Sequence, residues 1–156
     1  LYDFRGGIAN VIRRVRDPSS TAKVLSLKNC TIEGTLVGRV TDVRASRNTV
    51  VLTEGVADTL AACLAFPNLV VLGANGAHQL PAIAKAVVPR LRKVRGALVL
   101  IPQAKGDVGE EKFGDALNIA EDAGMYLDRD ILLVDVLPQR DLADAWKTGR
   151  RDWRLA

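Results

Sequence analysis

Four short aliphatic segments constrain this chain most: each ends in a glycine or polar turn and is followed by helix-forming sequence. They are Thr49-Val50-Val51-Leu52-Thr53, Leu69-Val70-Val71-Leu72, Ala97-Leu98-Val99-Leu100-Ile101 and Asp130-Ile131-Leu132-Leu133-Val134-Asp135-Val136. Runs without polar alternation are buried on both faces, as in parallel strands covered by helices. The intervening stretches carry helical periodicity. Val56 to Phe66 is stopped by Pro67, and residues 79–93 hold Pro81 in a first turn and Pro89 as an end or kink. Residues 110–123 are closed by Gly124, and Asp141 to Lys147 is a last short helix. In the first helix Val56, Leu60, Cys63 and Leu64 share one face, which predicts that this face packs inward. The expected fold class is α/β: an open sheet of about four mainly parallel strands with flanking helices.

The N-terminal third reads differently. Residues 1–23 carry Arg5, Arg13, Arg14, Arg16 and Lys23, with Gly6-Gly7 and Pro18-Ser19-Ser20 as breaks. The stretch from Ile8 to Val15 suits helix or strand. Val24, Leu25 and Leu27, then Thr35 to Thr41, are β-rich runs that predict an antiparallel hairpin or small sheet, separate from the parallel core. The expected organisation is a basic segment with a small β element over 1–45, an α/β domain over 46–147 and a basic tail over 148–156.

With 156 residues the chain can bury a sizeable core without a metal or disulfide staple. Aromatic residues are only 4%, so that core is aliphatic. Two scattered cysteines, Cys30 and Cys63, make neither a disulfide framework nor a zinc site and read as buried free thiols in a reducing cytosol, hence a cytoplasmic location. No apolar run is long enough to span a membrane, and the start has no signal-peptide layout. The first residue is Leu, which suggests a piece of a longer protein, with neighbouring domains as partners. The net charge of +4 permits an anionic partner.

Open parallel sheets gather chemistry at the carboxyl ends of their strands. At the first such end stands Glu54-Gly55-Val56-Ala57-Asp58-Thr59-Leu60, a carboxylate on the last strand residue and a second four positions on. Gly55 permits a sharp strand-to-helix turn, and Asp58 lies one turn into the helix. As a bland alternative, both acids are solvated partners of a helix dipole.

Glu-Gly-x-x-Asp-x-Leu after an apolar strand resembles the first motif of the Toprim domain of bacterial and phage primases, topoisomerases and recombination proteins. Residues 70–77, Val-Val-Leu-Gly-Ala-Asn-Gly-Ala, resemble the second strand and Gly-rich turn of primase-type members. The likeness continues through Leu100-Ile101-Pro102 and Asp107-Val108-Gly109. It ends in Pro138 and Asp141-Leu142-Ala143-Asp144-Ala145-Trp146, which is similar to the closing Asp-rich segment of mobile-element primase-helicase proteins. The resemblance covers about residues 49–147 and implies a Toprim-like fold performing phosphoryl or nucleotidyl transfer on nucleic acid. It implies Glu54 as acid/base for a sugar hydroxyl, Asp58 beside it as the motif's catalytic Asp, and a divalent ion, Mg²⁺ or Mn²⁺, held by an Asp-x-Asp pair.

That pair is not present. The loop reads Pro102-Gln103-Ala104-Lys105-Gly106-Asp107-Val108-Gly109, in which Asp107 is the one acid left to bind metal and Lys105 repels it. Magnesium takes direct carboxylates in octahedral geometry, so weak binding is expected. Glu110 and Glu111 open the next helix and suit its dipole. His78, the one histidine, reads as a surface residue at a helix start, and neither Gly73-x-x-Gly76 nor Gly106-x-x-Gly109 is followed by the Lys of a P-loop.

Basic residues cluster at Arg13, Arg14 and Arg16; at Arg90, Arg92, Lys93 and Arg95; and at Arg150, Arg151 and Arg154. Arg90, Arg92 and Lys93, with Lys105, are the expected nucleic-acid contacts, modest and independent of base sequence. Trp146 and Trp153 are the expected exposed aromatics for stacking. Two readings result: a Toprim domain of a primase-like replication protein acting on single-stranded DNA or nucleotides, or the same fold without metal chemistry as a nucleic-acid-binding module of a larger primase-helicase protein. A Toprim-type nuclease leans still harder on the missing acids.

Overall fold

The computed structural model describes residues 48–101, 108–134, 136, 139 and 141–150, together with the backbone of 12–14, 24–26 and 36–38. Four strands are parallel: β4 (Thr49–Glu54), β5 (Val70–Ala74), β6 (Ala97–Leu100) and β7 (Ile131–Leu133). They follow three N-terminal strands, β1 (Ile12–Arg14), β2 (Val24–Ser26) and β3 (Leu36–Gly38). The helices are α1 (Gly55–Ala65), α2 (Leu80–Val94), α3 (Val108–Asp122) and α4 (Leu142–Lys147), with one turn of 3₁₀ helix over Ala77–Gln79 before α2. No helix among the described residues is long and apolar enough to cross a membrane.

The α/β class expected from the sequence is the one observed. The main sheet has the order β3-β5-β4-β6-β7, so the four parallel strands gain an antiparallel edge strand, β3, paired to β5. That pairing corrects the expectation of a separate N-terminal β element. Among the described residues, those at 24–26 and 36–38 do not pair with each other: β2 pairs antiparallel with β1, and β3 closes the edge of the main sheet. An exposed edge of β5 offers a row of unpaired backbone groups, which an added strand satisfies.

Alternate residues of the strands feed two cores. Val50, Leu52, Leu72, Leu98 and Leu100 face α2 and α3, packing against Ile83, Val87, Leu91, Ala116 and Ala120. Val51, Val71 and Val99 face α1 and α4, packing against Ala61, Ala62, Leu142 and Ala143. Both faces are covered, which is why the strands read as unbroken aliphatic runs.

The apolar face expected of α1 is turned the other way. Leu60 and Leu64 are 60% and 61% exposed, Val56 and Cys63 are half-buried, and the buried residues are Asp58, Thr59, Ala61 and Ala62. Close approach explains the reversal. A Cβ added at Gly73 of β5 would lie 1.9 Å from Thr59 Oγ1, so α1 rests on bare strand backbone. Only small side chains fit in that space.

Candidate functional site

The order β5-β4-β6 places β4 at a topological switch point. The chain leaves β4 through α1 on one face of the sheet, and leaves β6 through α3 on the other. In open α/β sheets the crevice at such a point, beyond the carboxyl ends of the strands, is where ligands bind. Glu54 is the last residue of β4, paired with Ala74 of β5. On the other side the ladder to β6 ends at Leu52–Leu100, so β4 reaches two residues further. Glu54 is half-buried, and its side chain does not cap α1. Gly55 follows with φ of +75°, a left-handed conformation that makes the turn from strand to helix and that L side chains rarely adopt.

Beneath this turn two buried hydroxyls lock α1 onto the sheet. Thr53 Oγ1 and Thr59 Oγ1 are 2.9 Å apart, and the Thr59 hydroxyl also donates to the Gly55 carbonyl at 2.5 Å. Asp58, one residue earlier, is buried at 7% exposure and faces α4. The backbone N–H of Ala143, in the first turn of α4, donates to Asp58 Oδ1 at 2.8 Å. Asp141 caps the same helix, accepting from the Asp144 N–H at 2.7 Å. Two carboxylates therefore serve the N-terminus of one short helix, one local and one contributed by α1.

Burial pushes the Asp58 carboxyl up to about 7 from its ordinary 3.8. The Ala143 N–H opposes that shift, and the negative charges of Asp141, Glu54 and Asp144 add to it. Asp58 thus exchanges its proton near neutrality. Its hydrogen bond points it at α4, so its direct role is to hold α4 against α1 beside the Glu54 turn.

Of the other expected site residues, the described ones stand apart from Glu54. Arg90, Arg92 and Lys93 are exposed near the C-terminus of α2. That helix starts just after the carboxyl end of β5, runs back about 22 Å for its 15 residues, and ends before β6 begins. These cations therefore lie at the amino edge of the sheet, opposite Glu54. Asp107 and Lys105 lie outside the described residues, as do Cys30, Arg151, Trp153 and Arg154. His78 is exposed in the 3₁₀ turn, as expected of a surface residue. Trp146 corrects its expectation: it is half-buried and packs against the core shared by α1 and α4, because its helix is too short to hold its place without such an anchor. Cys63, too, is half-buried where a buried thiol was expected. In α3, Lys112 pairs with Glu111 at 2.7 Å and with Asp115 at 2.8 Å.

Among the described residues no group of three or more His, Cys, Asp and Glu side chains is placed to hold a metal, and Asp58 is committed to the Ala143 N–H. The described carboxylates do not fit magnesium by themselves. Sequence reading missed the pairing of Asp58 with α4, although Asp141-Leu142-Ala143-Asp144 carries the signal of a capped helix start. Neither a family model, nor a curated protein, nor a solved structure matches this chain.

Proposed function

We propose that this chain is a Toprim-like domain of a primase-like DNA replication protein that engages phosphate groups of single-stranded DNA or nucleotides at the Glu54 edge. The supporting observation is the position of Glu54: the last residue of the strand at the switch point, one residue before the left-handed turn into α1. Glu54 is the acid/base, taking a proton from an attacking sugar hydroxyl or returning one to a leaving hydroxyl during phosphoryl transfer. Asp58 acts through position, anchoring α4 beside that turn. Neighbouring domains of a longer protein complete the replication function.

A second reading has its own support. The engagement of Asp58 with α4 favours the same fold as a nucleic-acid-binding module without transfer chemistry. One experiment separates the two: primer synthesis and nucleotidyl transfer measured with Mg²⁺ or Mn²⁺, beside single-stranded DNA binding, for the parent chain and Glu54→Gln. Transfer lost in Glu54→Gln with binding retained supports the enzyme. Binding without transfer in the parent supports the module. A parent chain that neither transfers nor binds overturns both.

A further inference from the structure

A pocket of 480 Å³ opens at the amino edge of the sheet, between the end of α2 and the turn that joins α3 to β7. Arg92, Arg95 and Arg129 line it, with Asp130 as the one acid. Asp130 is already satisfied. Arg129 grips it through Nε at 3.1 Å and Nη2 at 2.6 Å, and the Tyr126 N–H donates to it at 3.1 Å. Arg129 is itself fixed, stacked over the Tyr126 ring at 4.4 Å. Arg92 and Arg95 form no ion pair within 4 Å among the described residues, although the Arg92 charge helps keep Asp130 ionised, and both are exposed. The Arg92 guanidinium lies against Gly124, in van der Waals range at 3.5 Å from where a Cβ there would stand.

A helix dipole accounts for Arg92 and Lys93 in the last turn of α2. It favours a cation at Arg95 as well, but leaves the backbone conformation there unexplained. That residue caps α2 in the left-handed conformation, φ 52° and ψ 43°, where glycine is the usual occupant and an L side chain is disfavoured. The fold thus carries a third cation at a position where its backbone is disfavoured, on the wall of a pocket whose only acid is neutralised.

We infer that this pocket binds a phosphate group, held by the guanidinium forks of Arg92 and Arg95 with Arg129 at its rim. Planar guanidinium groups match phosphate oxygens two at a time, and the volume accommodates a nucleotide-sized ligand. The pocket stands at the opposite edge from Glu54. That the phosphate belongs to a nucleotide or a nucleic-acid strand rests on the function proposed above; that the pocket takes a phosphate does not.

The test uses the full chain, with inorganic pyrophosphate as the probe in titration calorimetry and ATP and a thymidine oligonucleotide as competitors. Pyrophosphate binds the parent, and Arg92→Ala and Arg95→Gly each weaken it about tenfold, as loss of a charge-assisted contact does. Arg95→Gly is expected to unfold at a temperature equal to or above the parent's, since glycine relieves the left-handed backbone. Lost binding in that variant is then not lost folding. Displacement by the oligonucleotide identifies a strand as the source of the phosphate, and displacement by ATP alone identifies a free nucleotide. Pyrophosphate that fails to bind the parent, or binds both variants as well as the parent, overturns the inference. A chain without transfer activity that still binds pyrophosphate through these arginines leaves it standing.

Discussion

Asp58 shows how much one side chain here depends on its surroundings. Its carboxyl sits near 7 in the folded chain and near 3.8 in the unfolded one. Between those values the native state holds a proton that the unfolded state has released, so stability falls as pH rises from about 4 through 7 and is flat above. The full effect is about 4 kcal/mol at most. Chemical denaturation at pH 5 and pH 8 should therefore show a less stable chain at pH 8, and Asp58→Asn should remove most of the difference, its Oδ1 still accepting from Ala143. Equal differences in both proteins would refute this assignment. Gly73 makes a second case. Gly73→Ala drives a methyl into Thr59 and is expected to cost about 2–3 kcal/mol in thermal unfolding, within the range of overpacked cores. Gly114→Ala, in α3 with open space around it, should be neutral or stabilising by up to about 1 kcal/mol.

Among the elements, α1 is instructive because its larger apolar side chains do not mark its buried face. Leu60 and Leu64 are exposed, while Thr59, Ala61 and Ala62 are buried against the sheet. The double variant Leu60→Gln/Leu64→Gln should therefore change stability by no more than about 0.5 kcal/mol, as surface substitutions do. Ala62→Leu, at a fully buried position, should cost about 1–3 kcal/mol by overpacking. Thermal unfolding of the two proteins tests the orientation of the helix directly. The α2 helix behaves as its pattern predicts, burying Leu80, Ile83, Ala84, Val87, Val88 and Leu91. Its periodicity was legible because it covers the sheet with large residues; α1, a close-packed helix of small ones, left a misleading trace.

For the whole molecule, the sheet separates Glu54 from the α2 arginines. Glu54 stands at the carboxyl edge and the arginines at the amino edge, so the proposed acid/base group and the basic charge are not one site. Single-stranded DNA binding should weaken with salt, and replacing Arg90, Arg92 and Lys93 together by Ala should lower affinity and flatten the log K against log salt slope. Fluorescence anisotropy at several salt concentrations measures both. An unchanged slope would remove this edge from nucleic-acid contact. A strand that meets both edges must pass over a face or around the end of the sheet.

The sequence by itself determined the α/β class, the four parallel strands and the Glu54-Gly55 turn, because buried aliphatic runs and a glycine at a strand end are local signals. It also placed the helix starting at Asp141, whose capping pattern spans only four residues. Tertiary structure decided the rest. The union of β3 with β5, the turning of α1 onto its small residues, the bond from Ala143 to Asp58 across 85 positions of chain, and the gathering of Arg92, Arg95 and Arg129 around one pocket are all contacts between distant segments. Periodicity within a segment reports what that segment can bury. Which partner it is buried against is set only when the sheet order brings two segments together.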